Sequence, residues 1–171
     1  MYLDSKDSLR LSLNGIYEPL ETELVQKEVV EGNVVLDLGA HIGYYTLIFA
    51  RLVGSQGKVF AFEPGPDNFA LLEKNVQVNR YRNVTLVQRA VSEAAGRVRL
   101  YLNEGNTADH RMYDSRDGRK HIEVETVRVD DYFAEYEGKI DFIKMDIQGA
   151  EGAALSGMVR LIEGVGRTKA L

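Results

Sequence analysis

The chain has 171 residues, 44% hydrophobic and 27% charged, the balance of an ordinary globular domain with enough apolar residues for a real core. A formal net charge of -5 gives no general attraction for nucleic-acid phosphates, and the lack of cysteine excludes disulfides, thiolate nucleophiles and Cys-ligated zinc. No basic start leads into an apolar run, and nothing approaches the roughly 18 apolar residues of a membrane span, so a cytoplasmic, single-domain protein over 1–171 with neither membrane nor nucleic-acid partner is expected.

Residues 1–12 are polar and expected at the periphery. From Pro19 to about Val30 the pattern is helical, with Leu20, Leu24 and Val25 sharing a face, Pro19 suiting the first turn and Gly32 the stop. Val34 to Leu38 is a short apolar run bounded by turn signals, as a strand buried on both faces reads. Gly39 to Gly43 form a turn, Tyr44 to Leu52 a helix, and Lys58 to Phe62 a second buried strand. Pro66 opens a helix with Phe69, Leu72 and Val76 on one face, and Asn83 to Val87 make a third strand. Strands alternating with helices over short links predict a parallel, doubly wound α/β sheet, and right-handed crossovers order these strands 3-2-1.

The rhythm then breaks. Arg97 to Leu102 and Ile122 to Val127 alternate like strands around a polar stretch, 103–120, which predicts a two-stranded insertion over about 97–128. A loop of that length serves as a lid or binding loop, or is a plain mobile insertion; both readings stay open. Its basic residues Arg111, Arg116, Arg119 and Lys120 are diluted by Asp114 and Asp117 and read as a solvated loop. Ile140 to Met145 form a fourth parallel strand ending at Asp146, followed by a helix from Ala150 to about Ile162.

Three stretches carry chemistry. Asp37-Leu38-Gly39-Ala40-His41-Ile42-Gly43 lies where the first strand turns into its helix, the ligand crevice of such sheets. It fails the dinucleotide pattern G-x-G-x-x-G, because Asp37 and Ile42 stand where glycines are needed. A carboxylate at 37 would repel a pyrophosphate and welcome a cation; the alternative is a turn aspartate capping its own loop. Glu63, at the end of the second strand, can accept hydrogen bonds from both hydroxyls of a ribose. Asp146 and Glu151 flank a glycine turn at the carboxyl end of the fourth strand, where either could orient or deprotonate a substrate hydroxyl. Glu151 can equally be a first-turn helix acid. The three histidines, His41, His110 and His121, show no metal-ligand spacing, so no metal is expected.

Together these stretches resemble the FkbM-type family of S-adenosylmethionine-dependent methyltransferases. The resemblance is carried by Gly15-Ile16-Tyr17-Glu18, Val35 to Thr46, Phe62-Glu63-Pro64, Arg89-Ala90-Val91-Ser92, Thr126 to Tyr132 and Ile143 to Glu151, over roughly residues 13 to 165. It implies a Rossmann-like fold of the class I methyltransferase type and methyl transfer to a hydroxyl of a sugar or natural product, that is, a small-molecule or glycan acceptor. It implies cofactor contacts by Asp37, Gly39 and their turn neighbours Ala40 and Gly43, ribose contact at Glu63-Pro64 and adenine contact near Ala90. It also places Tyr17, Glu18, Thr46 and Asp146 around the methionine end, with Asp146 or Glu151 as general base. Gln148 stands where the family usually has an acid, and His41 where it usually has Asn. The family's sheet has seven strands, and Arg167 to Leu171 read only as the approach to the fifth. A C-terminal truncation is therefore expected, leaving a bare flank on the fourth strand that a homodimer could cover. Two other readings remain: a non-catalytic binding remnant of the fold, and a nicotinamide-dependent oxidoreductase, which shares Glu63 but lacks the glycine pattern.

Overall fold

The computed structural model describes residues 1–164 and 169–170. In chain order the elements are α1 (Leu11–Asn14), α2 (Pro19–Glu28), β1 (Val34–Leu38), α3 (Tyr44–Val53), β2 (Lys58–Phe62), α4 (Pro66–Val78), β3 (Val84–Val87) and β4 (Ala90–Val91). They continue with β5 (Gly96–Tyr101), a 3-10 turn at Thr107–Asp109, β6 (His121–Val127), α5 (Val129–Tyr132), β7 (Phe142–Met145), α6 (Glu151–Ser156), α7 (Val159–Gly164) and β8 (Lys169–Ala170). The main sheet is parallel, in the order β3-β2-β1-β7-β8. The expected 3-2-1 order and the fourth strand beside the first are both present. β8 pairs with Phe142 and Ile143, on the flank that the sequence reading left bare; the rest of the stretch from Arg167 to Leu171 lies outside the described residues.

Period-two alternation sends successive side chains to opposite faces. Leu36, Leu38, Phe60, Phe62 and Ile143 face one layer, with Val129, Phe133, Ala154 and Met158. Val35, Val59 and Phe142 face the other, against Val25 of α2, Val29 just past it, and Phe49 and Val53 of α3. Asp37 and Lys144 belong by alternation to this second face, a fact that governs the site.

Four expectations need correction. The buried face of α2 is Thr22 and Val25, continued by Val29; Leu20 is 78% exposed and Leu24 40% exposed. Helical period alone could not choose, because α2 is apolar on two sides and only Val25 meets Phe49 and Val53. Residues 1–12 are not all peripheral: Asp4 and Leu9 are buried, and the Ser8 hydroxyl bonds Thr107. The two strands of the insertion, β5 and β6, share their sheet with a strand that the sequence did not show: β4, which precedes the insertion and runs parallel to β6 on the side opposite β5. Two residues are too few to carry a periodic signal.

Finally, the helix expected from Ala150 to Ile162 is broken between α6 and α7. The break sits at Gly157, where a Cβ would lie 2.2 Å from the Ser92 carbonyl oxygen. Asp130 completes it: its amide donates to the Gly157 carbonyl, and its buried carboxylate accepts the amides of Arg160 and Leu161. An acid at a new helix start satisfies free amides and the local dipole, so the interruption is stabilised rather than merely tolerated.

Val25→Ala is expected to lower the unfolding free energy by about 2 kcal/mol through lost burial. Leu20→Ser should stay within about 0.5 kcal/mol of the parent. Urea unfolding of the two variants checks the assignment, and the reverse ranking would restore the face read from the sequence.

Candidate active site

The parallel register sets Asp37 beside Lys144, as Cα partners on β1 and β7. Two residues on, at the end of β7, stands Asp146. The Lys144 ammonium lies 3.8 Å from Asp37 Oδ1 and 3.7 Å from Asp146 Oδ2, and sits 5.0 Å above the centre of the Tyr45 ring. Asp37 is fully buried. Its Oδ2 accepts the Thr46 hydroxyl at 2.5 Å, while Oδ1 receives no hydrogen bond from the described residues. Burial raises the Asp37 pKa, and the Lys144 charge and the Thr46 hydroxyl oppose that rise. Two buried groups, Asp37 and Lys144, thus meet a third, Asp146, that is partly exposed, with one more acid than base among them. Such a group lowers its energy by taking up a cation or further donors.

Backbone geometry brings the two strand ends together. Gly39 has φ 83°, and a Cβ there would lie 1.9 Å from the Asp146 carbonyl oxygen, so only glycine lets the two turns touch. The Gly39 and Ala40 amides both donate to the Phe62 carbonyl, which ties the turn to β2. Gly43, named as a cofactor contact, does not line the pocket described below; it packs on α4, where a Cβ would meet Leu72 at 2.7 Å.

Glu63 ends β2 almost fully buried. Its Oε2 accepts the His41 amide at 2.9 Å and its Oε1 the Gly65 amide at 2.8 Å. Burial outweighs these bonds and lifts its pKa from the ordinary 4.5 to about 7. His41 adopts φ 52°, and its ring Nε2 lies 2.8 Å from the Thr107 hydroxyl of the insertion. Proton counting orients this contact. The single Ser8 hydroxyl proton goes to the Asp4 carboxylate, so Thr107 donates to Ser8 and His41 Nε2–H donates to Thr107. Burial lowers the ring's pKa to about 4, which favours the neutral ring with its proton on Nε2.

These parts enclose one pocket at the carboxyl edge of the sheet. Of the residues singled out in the sequence, Tyr17, Gly39, Ala40, Glu63, Pro64, Ala90 and Asp146 line it. Its apolar middle is built from Phe62, Ala90, Val91, Leu100 and Met112. Asp37 and Thr46 do not reach the surface; they lie one layer beneath, behind Lys144. Glu18 lines an adjoining groove, and its carboxylate accepts the Tyr45 hydroxyl at 3.1 Å. Glu151 is not brought to the pocket. Its Oε1 accepts the Gly149 amide at 3.0 Å, which holds it to its own loop.

Several lining residues were missed in the sequence: Lys144, Tyr44, Tyr45, Asn68, and from remote segments Leu9, Thr107 and His110. Lys144 carried a signal, being a charge inside an apolar strand two residues from Phe142. The remote ones carried none, because nothing local to residue 9 or 107 says that they meet. Among the described residues no cluster of His, Cys, Asp or Glu is arranged to hold a metal, and no helix is long and apolar enough to cross a membrane.

The family model for the methyltransferase FkbM domain matches residues 37–167. The chain is 31% identical over 160 residues to the 31-O-demethyl-FK506 methyltransferase FkbM of Streptomyces tacrolimicus, across 77% of this chain and 61% of that protein. It is 28% identical over 180 residues to the 2-O-methyltransferase NoeI of Sinorhizobium fredii, across 92% of this chain and 72% of that one. The chain thus spans less than two thirds of the first relative's length. A crystal structure of methyltransferase FkbM from Methylobacillus flagellatus superposes with a TM-score of 0.58 at 19% identity, covering 88% of this chain and 39% of that one. At that identity the likeness speaks for the fold, a class I methyltransferase sheet.

The Glu63 carboxyl should titrate near neutrality. Because its folded pKa is raised, its share of stability is fully present below about pH 4.5 and is lost as the pH rises through about 7. Carbon-detected NMR of side-chain-labelled glutamates should show one carboxyl with a midpoint near 7, absent in Glu63→Gln. A spectrum in which every carboxyl titrates below about 5.5, one unit above the free value, would remove the burial argument.

Proposed function

The chain belongs to the methyltransferase FkbM domain family, and on that premise we propose that it methylates a hydroxyl oxygen of a sugar or natural-product acceptor, using S-adenosylmethionine. The observation that carries this reading is the spacing of two acids across an apolar cleft. Glu63 ends β2 and Asp146 ends β7, with β1 between them. Two strand spacings put their backbones about 10 Å apart. Glu63 suits the two hydroxyls of a ribose, the apolar middle with Ala90 suits an adenine ring, and the excess negative charge of Asp37, Lys144 and Asp146 suits a cationic amino-acid end. The unpartnered Asp37 Oδ1 supports the same fit, as it still lacks a donor.

S-adenosylmethionine would supply a methyl group already activated on a sulfonium. The chain's own task is then placement. Tyr17, Tyr44 and Leu9 exclude water from the polar end, which raises every electrostatic effect there. Asp146, held by Gln148 Nε2 at 2.8 Å and facing Lys144, presents a fixed acceptor to a substrate hydroxyl. It orients that hydroxyl for attack in line with the departing sulfur and receives its proton as the oxygen–carbon bond forms. Positioning contributes the larger share of the rate, and a general base about 10²–10⁴-fold. Glu151 is left as a loop-holding acid in this scheme. Transfer to oxygen is supported by the names of both relatives, one a 2-O-methyltransferase and the other a methyltransferase named for a 31-O-demethyl compound. No nucleic-acid partner is included: Arg111 and Arg119 of the basic loop are paired with Asp109 and Asp117.

Calorimetric titration with S-adenosylhomocysteine, the product of this reaction, should give saturable one-to-one binding. Asp37→Asn should weaken it at least about tenfold, the worth of one charge-assisted contact, while a thermal melt shows the variant still folded. A folded parent chain that binds no S-adenosylhomocysteine would overturn the proposal. Binding without methyl transfer to any hydroxyl acceptor would leave a binding remnant as the better description.

A further inference from the structure

A second cavity opens beside the first. It runs between the segment from Ser8 to Pro19 and the insertion at Asn106–Asp109, and it shares Leu9, Tyr17, Ala108 and Gln148 with the main pocket. The two spaces therefore adjoin across these residues, and Gln148, on the shared wall, bonds Asp146 of the main pocket. The walls come from segments far apart in the chain, and they are fastened to each other: the Thr107 amide donates to Ser8 Oγ at 2.9 Å, and the two hydroxyls meet at 3.1 Å. The groove is thus a built feature with a fixed width.

Its polar groups divide into two sets. Some are already committed. Asp109 is taken up by Arg111, Arg119 and Asn103, and Glu18 by the Tyr45 hydroxyl. Others have no partner among the described residues: the Arg10 guanidinium, the Asn14 carboxamide, the Asn106 Nδ2 and the Gln148 Oε1. Asn106 uses only Oδ1, for the Ala108 amide, and Gln148 only Nε2, for Asp146. Three carboxamides offer both donors and acceptors, and one guanidinium offers donors alone. Between them stand the flat faces of Tyr17 and Pro19. Amides that both give and accept match hydroxyl groups, which do the same, and flat apolar faces match the C–H face of a pyranose ring. Asp109 is neutralised by Arg111 and Arg119, Glu18 keeps its charge behind a neutral hydroxyl donor, and Arg10 is the one cation among the groove's described lining residues. A guanidinium takes a carboxylate in bidentate fashion.

We propose that this groove is the acceptor site, that it takes a polyhydroxylated ring, and that Arg10 makes it prefer an acidic sugar to a neutral one. The proposal rests on the methyltransferase reading above and assigns specificity residues within it: Asn14, Asn106 and Gln148 read hydroxyls, and Arg10 reads the carboxylate. The sugar hydroxyl that reaches past Gln148 meets Asp146.

The test uses the whole chain saturated with S-adenosylhomocysteine, with methyl β-glucuronoside and methyl β-glucoside as probes, read by saturation-transfer NMR. Both probes should bind, the acid about fivefold tighter, a modest figure for a charge contact in an open groove. Arg10→Met should bring the two together. Asn14→Trp, which fills the groove from its exposed rim, should abolish both signals. Calorimetry should show the affinity of either variant for S-adenosylhomocysteine unchanged. Equal binding of the probes with no effect of Arg10→Met, signals that survive Asn14→Trp, or no binding of either probe to a chain that does bind S-adenosylhomocysteine would each overturn the groove while leaving the methyltransferase reading intact. Failure of S-adenosylhomocysteine itself to bind is the separate result that removes that reading and this one with it.

Discussion

The site depends on one buried charge contact, Lys144 set between Asp37 and Asp146. Burying a charge is costly unless a partner lies close, and here the partner is dictated by strand register. Asp37 and Lys144 are neighbours because β1 and β7 pair in parallel at that level. A one-residue slip would send one of them to the opposite face, into the layer of Leu36, Phe60 and Ile143. The contact therefore specifies alignment as well as charge. It also fixes where the two strands end, and so where Gly39 and the Asp146 carbonyl come into contact. The short turn, the pocket floor and the partly exposed carboxylate of Asp146 are consequences of that alignment.

The central sheet was legible because each strand satisfies a local rule. Val34 to Leu38 and Lys58 to Phe62 are apolar on both faces, bounded by turn residues, and separated by helices of suitable length. The acids at positions 37, 63 and 146 were legible for a related reason: in such a sheet the carboxyl ends of the strands are the ligand edge. The depth of Asp37 was not legible. A motif places a residue in sequence, not beneath or beside its neighbour, and Lys144 was the lysine to ask about. Glu151 shows the same limit from the other side. Spacing allowed it to reach the pocket, while the positive φ of Gln148 and Gly149 turns the loop so that its carboxylate meets the Gly149 amide instead.

What escaped the sequence altogether was non-local. Leu20, Leu24 and Val25 read as one core stripe, yet of the three only Val25 meets α3, since packing and not periodicity chooses which side of the helix is buried. The break at Gly157 needs Ser92 and Asp130 to be intelligible, residues that approach it only in the folded chain. β4 is two residues long and exists because β6 offers it an edge. In each case the deciding partner is remote, and no window of local pattern contains it.

The fastening of Ser8 to Thr107 has a further consequence. It closes a loop of nearly the whole span between the N-terminal segment and the insertion, so its entropy cost is among the larger ones in the fold, though it grows only with the logarithm of length. That cost falls on the wall of the cavities and not on the parallel sheet, whose strands pair without it. The two regions are thus separable as targets of change. Substitutions in the N-terminal segment or the insertion can reshape what the cavities admit while the scaffold keeps its stability, and the fold can diversify its chemistry's customers at little risk to its own integrity.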